Sequence, residues 1–460
     1  MLDTPEDIAA TIEMVSPNIT DRDAIVEGFA EVKDVSRRFS DGLVRVTDLL
    51  NPKRAYFNEK FPELVREIPF ERRELMWAGV DFHVEFGYAV SQKEYCEQFV
   101  GLEGIMGRID IFKDHPVEVK RTKGIGADSD VVRERPDNVE QLGMYCSMTN
   151  VPWGRLVFFI YKGDAPGTVF AFRVEFDDLK AIRQIMRERK RLLLDAWASG
   201  DPSKLPACPW LKRGCEAESR CDCATSGPFE HEIASHAGSC VYEPDESKRL
   251  TKQLNAYILA PKSRMTYWDI LFPRKFWFRR SQRGEDEGET PKAMASERLS
   301  WQNVRRGVEN QIRHSQKAGF KREYVDFEDE KVPVETLRGV PTVIVFPRTA
   351  EPIPADARKV ATYIRDDVMR LGMQCALAGK RTGKIVAYYQ NARDAGARLA
   401  VYMVHFKETG PYREFMMERV RALHGAVERN DMRCLPKCPD VKCRYKDWQC
   451  AHFDECGERR

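Results

Sequence analysis

Gly107-Arg-Ile-Asp-Ile-Phe-Lys-Asp-His-Pro-Val-Glu-Val-Lys120 reads as two short strands around a polar turn. Ile109-Asp110-Ile111-Phe112 is an apolar strand with an acid at its centre. Lys113-Asp114-His115-Pro116 carries turn chemistry, because proline suits a turn and not a central strand. Val117 opens the second strand, where Glu118 and Lys120 project from one face and Val117 and Val119 from the other. Paired as a hairpin, the two strands bring Asp110 close to Glu118. Adjacent carboxylates repel unless a cation sits between them, and a hard divalent ion takes oxygen ligands. A lysine beside such a site orients or deprotonates a metal-associated water.

The short acid–gap–ExK pattern also arises by chance on solvated hairpins, so its weight comes from its neighbours. Upstream, residues 71–89 place Leu75, Ala78, Gly79, Phe82 and Phe86 at helical spacing, with His83 on the same helix. Before that, Arg45-Val-Thr-Asp-Leu-Leu-Asn-Pro-Lys-Arg-Ala-Tyr-Phe57 reads as an amphipathic helix ending at Pro52. Downstream, residues 121–136 form a polar loop whose Arg and Lys side chains are available to phosphates. Asp137 then caps a helix on which Gln141 and Tyr145, four apart, share a face. Residues 154–161, GRLVFFIY, have the continuous apolar character of a central strand. A further strand is expected over 169–176 and a long helix over 177–196. Residues up to about 39 read as helices.

The whole chain sets bounds. Its 460 residues allow two or three domains. A net charge of +2 rules out a polycation, so any nucleic-acid surface is a local patch. No apolar run reaches membrane-spanning length, and the acidic N-terminal stretch lacks the basic start and apolar core of a secretion signal. The expected location is cytoplasmic, with no membrane partner. The 13 cysteines bunch late in each half, which suits reduced thiols and metal ligation better than disulfides. Cys208, Cys215, Cys221 and Cys223 form one group, and Cys434, Cys438, Cys443 and Cys450 the other. Four thiolates accept either an iron–sulfur cluster or zinc.

The second half echoes the first in order. Met265–Phe278 answers the 45–57 stretch, Gly307-Val-Glu-Asn-Gln311 answers Gly79–His83, and Val368–Cys375 answers Val139–Cys146. Residues 397–403 are matched to 154–160, and Leu435-Pro-Lys-Cys-Pro439 to Leu205-Pro-Ala-Cys-Pro209. The strand matched to Ile109-Asp110-Ile111 is Thr342–Phe346, which has no acid and no ExK after it. A second copy unable to hold a divalent ion is therefore expected.

Asp110, Glu118-Val119-Lys120, the histidine helix and the Gln141–Tyr145 pair together resemble the PD-(D/E)xK nuclease superfamily in its RecB-like branch. That group includes CRISPR-associated and AddB-like exonucleases with a cysteine-bound cluster. The resemblance implies an α/β fold of two tandem restriction-endonuclease-like domains. Each would have a mixed central sheet flanked by helices and a cysteine-ligated segment at its end. It divides the chain into N-terminal helices (1–40), an active domain (41–225), a linker (226–260) and a degenerate domain (261–456). By the same resemblance His83, Asp110, Glu118 and the Val119 carbonyl bind Mg²⁺ or Mn²⁺. Asp110, Glu118 and Lys120 carry catalysis, Gln141 supports Lys120 or the substrate, and Tyr145 contacts the strand. The cysteines hold a [4Fe-4S] cluster or zinc, although Asn51 stands where the family's early cluster cysteine would be. The implied activity is hydrolysis of DNA single strands or duplex ends, alongside a helicase or recombination partner. The other reading is a non-catalytic, nucleic-acid-binding scaffold of two cysteine-pinned modules. A lost site in the second half shows that the duplication tolerates inactivity.

Overall fold

The computed structural model describes residues 2, 4–30, 43–61, 70–161, 167–208, 221, 229–259, 265–274, 277, 305, 307–313, 319–347, 349, 351–389 and 398–436. The chain opens with α1 (Pro5–Thr11), β1 (Ile12–Pro17) and α2 (Ile19–Ala30). Next come β2 (Val44–Arg45), α3 (Val46–Leu50), α4 (Pro52–Lys60), α5 (Phe70–Val90), β3 (Cys96–Leu102), β4 (Ile105–Phe112) and β5 (Pro116–Thr122). Then follow α6 (Val131–Glu134), α7 (Pro136–Thr149), β6 (Trp153–Ile160), β7 (Val169–Phe176), α8 (Leu179–Ser199), β8 (Ala237–Tyr242) and α9 (Pro244–Leu259). The later part holds α10 (Tyr267–Leu271), β9 (Phe320–Phe327), β10 (Glu330–Leu337), β11 (Val340–Val345), α11 (Ala357–Tyr363) and α12 (Arg365–Leu377). It ends with β12 (Thr382–Tyr388), β13 (Leu399–Phe406) and α13 (Gly410–Arg429). The class is mixed α/β, with two mixed sheets flanked by helices.

Two compact units result. The first comprises Glu31–Leu259 with Pro291–Val308, and the second Met1–Ala30, Ala260–Thr290 and Glu309–Arg460. In the first unit the strand order is β2-β4-β5-β6-β7-β8, with β3 paired to β4. β5 and β6 run parallel, while β6–β7 and β7–β8 are antiparallel. β6 is apolar from Leu156 to Ile160 because both of its faces are covered there. Leu156, Phe158 and Ile160 share a core with Val139, Leu142 and Cys146 of α7. Val157 and Phe159 pack with Phe82 and Phe86 of α5 and Leu250 and Leu254 of α9.

The second unit repeats this order as β9-β10-β11-β12-β13-β1, again with its parallel pair in the middle, β11 with β12. Gly154 and Gly383 fix the correspondence. A Cβ on Gly154 would lie 2.7 Å from Leu142 Cδ1 and 3.0 Å from Cys146 Sγ. On Gly383 it would lie 2.6 Å from Leu371 Cδ1 and 2.8 Å from Cys375 Sγ. Each glycine lets the matching helix press onto the sheet. β12, and not residues 397–403, is therefore the counterpart of the 154–160 strand. Likewise the counterpart of β4 is β10, not the Thr342–Phe346 stretch. Apolar central strands look alike in sequence, so only the strand order separates them.

Two further expectations change. Residues 12–17 are not helical: they form β1, paired antiparallel with β13 in the register Val15↔Val404 and Pro17↔Tyr402. Residues 237–259 are not linker: β8 pairs with β7, and α9 buries Leu250 and Leu254. The first unit thus runs past residue 225. Lys384 of β12 meets Asp21 of α2 at 2.6 Å, as Arg155 of β6 meets Glu246 of α9 at 3.2 Å. The chain's first strand and helix supply to the second unit what 237–259 supply to the first. Local periodicity is blind to such pairings, whose partners lie far apart in sequence.

Candidate metal centre

The β4–β5 hairpin is closed at its turn by Ile111↔Val117 and Phe112↔Pro116. Beyond these pairs Asp110 substitutes for the ladder: the Val119 N–H donates to Asp110 Oδ2 at 2.7 Å. The other carboxylate oxygen faces His83 of α5, with Nδ1 3.0 Å from Oδ1. Glu118 and Lys120 point toward α7, as strand alternation predicts. Lys120 Nζ donates to Glu118 Oε1 at 2.5 Å and to Gln141 Oε1 at 3.0 Å. Val119, whose carbonyl the family pattern offers as a ligand, contributes its N–H to Asp110.

One residue enters that the sequence reading missed. Glu97 of β3 stands across from Asp110, between the register pairs Cys96↔Ile111 and Gln98↔Ile109. Among the described residues, ligand atoms of His83, Glu97 and Asp110 all lie within 4.8 Å of one another, a spacing that fits a shared cation. Glu97 has φ +56°, a left-handed conformation that costs a non-glycine residue on the order of 1–3 kcal/mol. Like charges directly across two strands are destabilising, so the pair calls for a positive charge between the carboxylates. Arg108 Nε meets Glu97 at 2.8 Å and supplies part of it. No spacing rule flags Glu97, because its link to Asp110 is made by strand pairing alone.

Electrostatics agree with this arrangement. Burial, then repulsion from Asp110, lift Glu118 to about 7 despite the Lys120 contact. Its Oε2 is buried without a hydrogen-bond partner. An orphaned, desolvated carboxylate oxygen next to a second acid fits a hard divalent ion. Burial opposes ionisation of Asp110, yet His83, Lys120 and the Val119 N–H together hold it below its usual range. Burial also works against His83, but the Asp110 charge outweighs it and the imidazole is raised. Lys120 is raised too, because Glu118 and Asp110 overcome its burial.

Tyr145 is placed differently from its expected role on the substrate. It is buried, its ring lies beneath Gly107, and its hydroxyl accepts from Gln141 Nε2 at 3.2 Å and donates to the Arg108 carbonyl at 3.0 Å. A side chain so enclosed positions Gln141, which positions Lys120; it does not present a face to a strand. Tyr145→Phe removes the oxygen that Gln141 donates to. Where Lys120 serves catalysis, a fall in kcat of about tenfold is expected, the weight of one lost hydrogen bond near the charged group, with KM unchanged. A raised KM at constant kcat would instead make Tyr145 a substrate contact.

The second unit fills the equivalent place with its own cations. Glu335 is the sixth residue of β10, as Asp110 is of β4, so this copy does carry a strand acid. Opposite Glu335 stands Arg322, where Glu97 stands opposite Asp110. Arg322 Nε donates to Glu335 at 2.8 Å and Arg313 Nη2 at 3.0 Å. Burial would raise the Glu335 carboxyl, but the two guanidinium groups hold it low. With Gly383 matched to Gly154, the positions of Glu118 and Lys120 fall on Val343 and Val345. Gln374, at the place of Tyr145, accepts from the Glu335 N–H at 2.8 Å.

Of the cysteines, Cys208 is buried and accepts from the Arg54 N–H at 3.3 Å, at the first turn of α4 and close to Asn51. Cys221 packs partly buried against the core that holds Leu156 and Leu142, and Cys434 is exposed. Cys215, Cys223, Cys438, Cys443 and Cys450 lie outside the described residues. In the second unit Arg274 donates to the Leu435 carbonyl at 3.2 Å, which docks the start of the Leu435-Pro-Lys-Cys segment near α10. No helix among the described residues is long and apolar enough to cross a membrane.

No protein-family model matches this chain, and no curated protein matches it. Among solved structures, one described as "Crystal structure of SSO0001" aligns with a TM-score of 0.30 and 16% identity, covering 44% of this chain and 94% of that one.

Proposed function

We propose that the first unit is a divalent-metal-dependent nuclease of the PD-(D/E)xK, restriction-endonuclease-like type, acting on DNA strands or ends. The observation that carries this reading is the buried acid set around Asp110, with a partnerless Glu118 oxygen and a lysine held against it. His83, Glu97, Asp110 and Glu118 would hold Mg²⁺ or Mn²⁺, which supplies Lewis-acid polarisation of the phosphate ester and a more acidic bound water. The Lys120 ammonium, aimed by Glu118 and Gln141, offsets negative charge developing on the phosphoryl oxygens or orients the attacking water. Asp110 keeps the hairpin open at this point by taking the Val119 N–H.

The second unit is read as a non-catalytic copy, because Arg313 and Arg322 neutralise its acid and valines replace the ExK pair. The cysteine groups would bind a [4Fe-4S] cluster or zinc and act as structural pins. A cytoplasmic setting and a helicase or recombination partner fit this activity. The inert second copy also favours a rival reading, in which the whole chain is a DNA-binding scaffold. A titration of Mg²⁺ and Mn²⁺ against end-labelled single-stranded and duplex DNA separates the two. Cation-dependent cleavage abolished by EDTA is expected. Retained binding with no cleavage at any cation concentration would establish the scaffold instead.

A further inference from the structure

Phe99 of β3 is 72% exposed, more than any other large apolar side chain among the described residues. An aromatic ring in water on a sheet face gains nothing from folding, so what lies around it matters. Directly across the hairpin stands Arg108, also exposed. Met106, two residues from Arg108 on the same strand face, extends the apolar strip. Arg108 in turn contacts Glu97 of the candidate metal centre at 2.8 Å. Phe99 and Glu97 are two residues apart, about 6.7 Å along a strand. The strip therefore begins one short step from the acids. Aromatic, apolar and cationic groups follow one another along a line that leaves the site.

We infer that this strip is a binding track for single-stranded DNA: the Phe99 ring, backed by Met106, stacks on a base next to the cleaved bond, and Arg108 serves the adjoining phosphate. This rests on the nuclease reading above. Stacking on an aromatic ring tolerates any base, because each has a π-face. A guanidinium beside the ring adds charge without sequence preference. The order of groups also fits an occupant that is apolar at its bases and anionic along its backbone. An apolar protein partner would have to bury the half-exposed Arg108 guanidinium that stands across from Phe99, whereas a backbone phosphate would be met by it.

The test measures binding and cleavage separately on the full chain. Affinity for a fluorescent oligo-dT is read by anisotropy in Ca²⁺, for wild type, Phe99→Ala and Phe99→Trp. Phe99→Ala is expected to raise Kd by about tenfold, within what one stacked base is worth, and Phe99→Trp to restore it. Arg108→Gln should weaken binding and flatten its salt dependence. An oligonucleotide lacking one base opposite Phe99 should lose affinity for wild type but nothing further for Phe99→Ala. Unchanged affinity in Phe99→Ala overturns the inference and leaves Phe99 to a protein contact. Failure of the nuclease reading looks different: wild type then binds through Phe99 but cuts nothing in Mg²⁺ or Mn²⁺.

Discussion

Asp110→Asn is expected to abolish cation-dependent cleavage, by roughly a thousandfold or more, while the protein stays folded and binds DNA. Removing one preorganised charge-stabilising group costs about 10²–10³ in rate, and here a metal ligand is lost as well. The substitution is structurally gentle, because the amide oxygen still accepts the Val119 N–H that now bonds Asp110. What disappears is the anion that faces His83 and Glu97. His83 should report this directly. Its pKa is raised because the Asp110 charge outweighs burial, so in the variant burial wins and the imidazole titrates lower. Histidine NMR over pH checks the point, and circular dichroism checks the fold. Full Mg²⁺-dependent activity in Asp110→Asn would end the nuclease assignment.

Glu118→Gln is expected to stabilise the metal-free protein and to remove its response to cations. The carboxyl sits at about 7 against a reference of 4.5, through burial and then the Asp110 charge. A folded pKa raised above the unfolded one stabilises fully below the unfolded value, and that stability is lost as pH rises through the folded value. For Glu118 the window therefore runs from about 4.5 to about 7. Asp110, held below its reference of 3.8, works in the opposite sense, but its contribution is complete by pH 6. The metal-free wild type should lose Tm between about pH 5 and pH 7 for this reason, and Mn²⁺ should restore more of it at pH 8 than at pH 5. Apparent cation affinity should weaken about tenfold per unit below pH 7, because one proton competes for the site. Glutamine keeps an oxygen for Lys120 and carries no charge, so its melting curve should be flat in pH for this term and indifferent to Mn²⁺. A glutamine variant less stable than wild type at pH 8 would show that Glu118 is held ionised by Lys120 as a plain structural pair.

Both experiments touch residues visible in the bare sequence. Strand and helix periods put Glu118 with Lys120, and Gln141 with Tyr145, on shared faces; that His83 meets Asp110 and Gln141 meets Lys120 is implied only by the family resemblance, and the tertiary structure brings each pair within hydrogen-bond distance. The duplication was visible for a similar reason: helix α7 and helix α12 keep the same leucine, glycine and cysteine spacing against their sheets. The helical spacing of Tyr145 with Gln141 says which face it shares, not whether that face meets solvent or core, and the structure buries it.

What amino-acid order determined by itself was local: the hairpin with its acid and ExK, the histidine helix, the apolar central strand, and the two thiol-rich segments. What only the tertiary structure decided was every relation between distant segments. Glu97 reaches Asp110 through strand pairing, and β1 reaches β13 across most of the chain. Residues 237–259 become a strand and helix only because β7 offers an edge. The second unit's arginines meet Glu335 only once β9, β10 and Arg313 are brought together. The physical reason is that periodicity encodes the face a residue takes, whereas partners come from loop closure and burial over long separations, which no local pattern records.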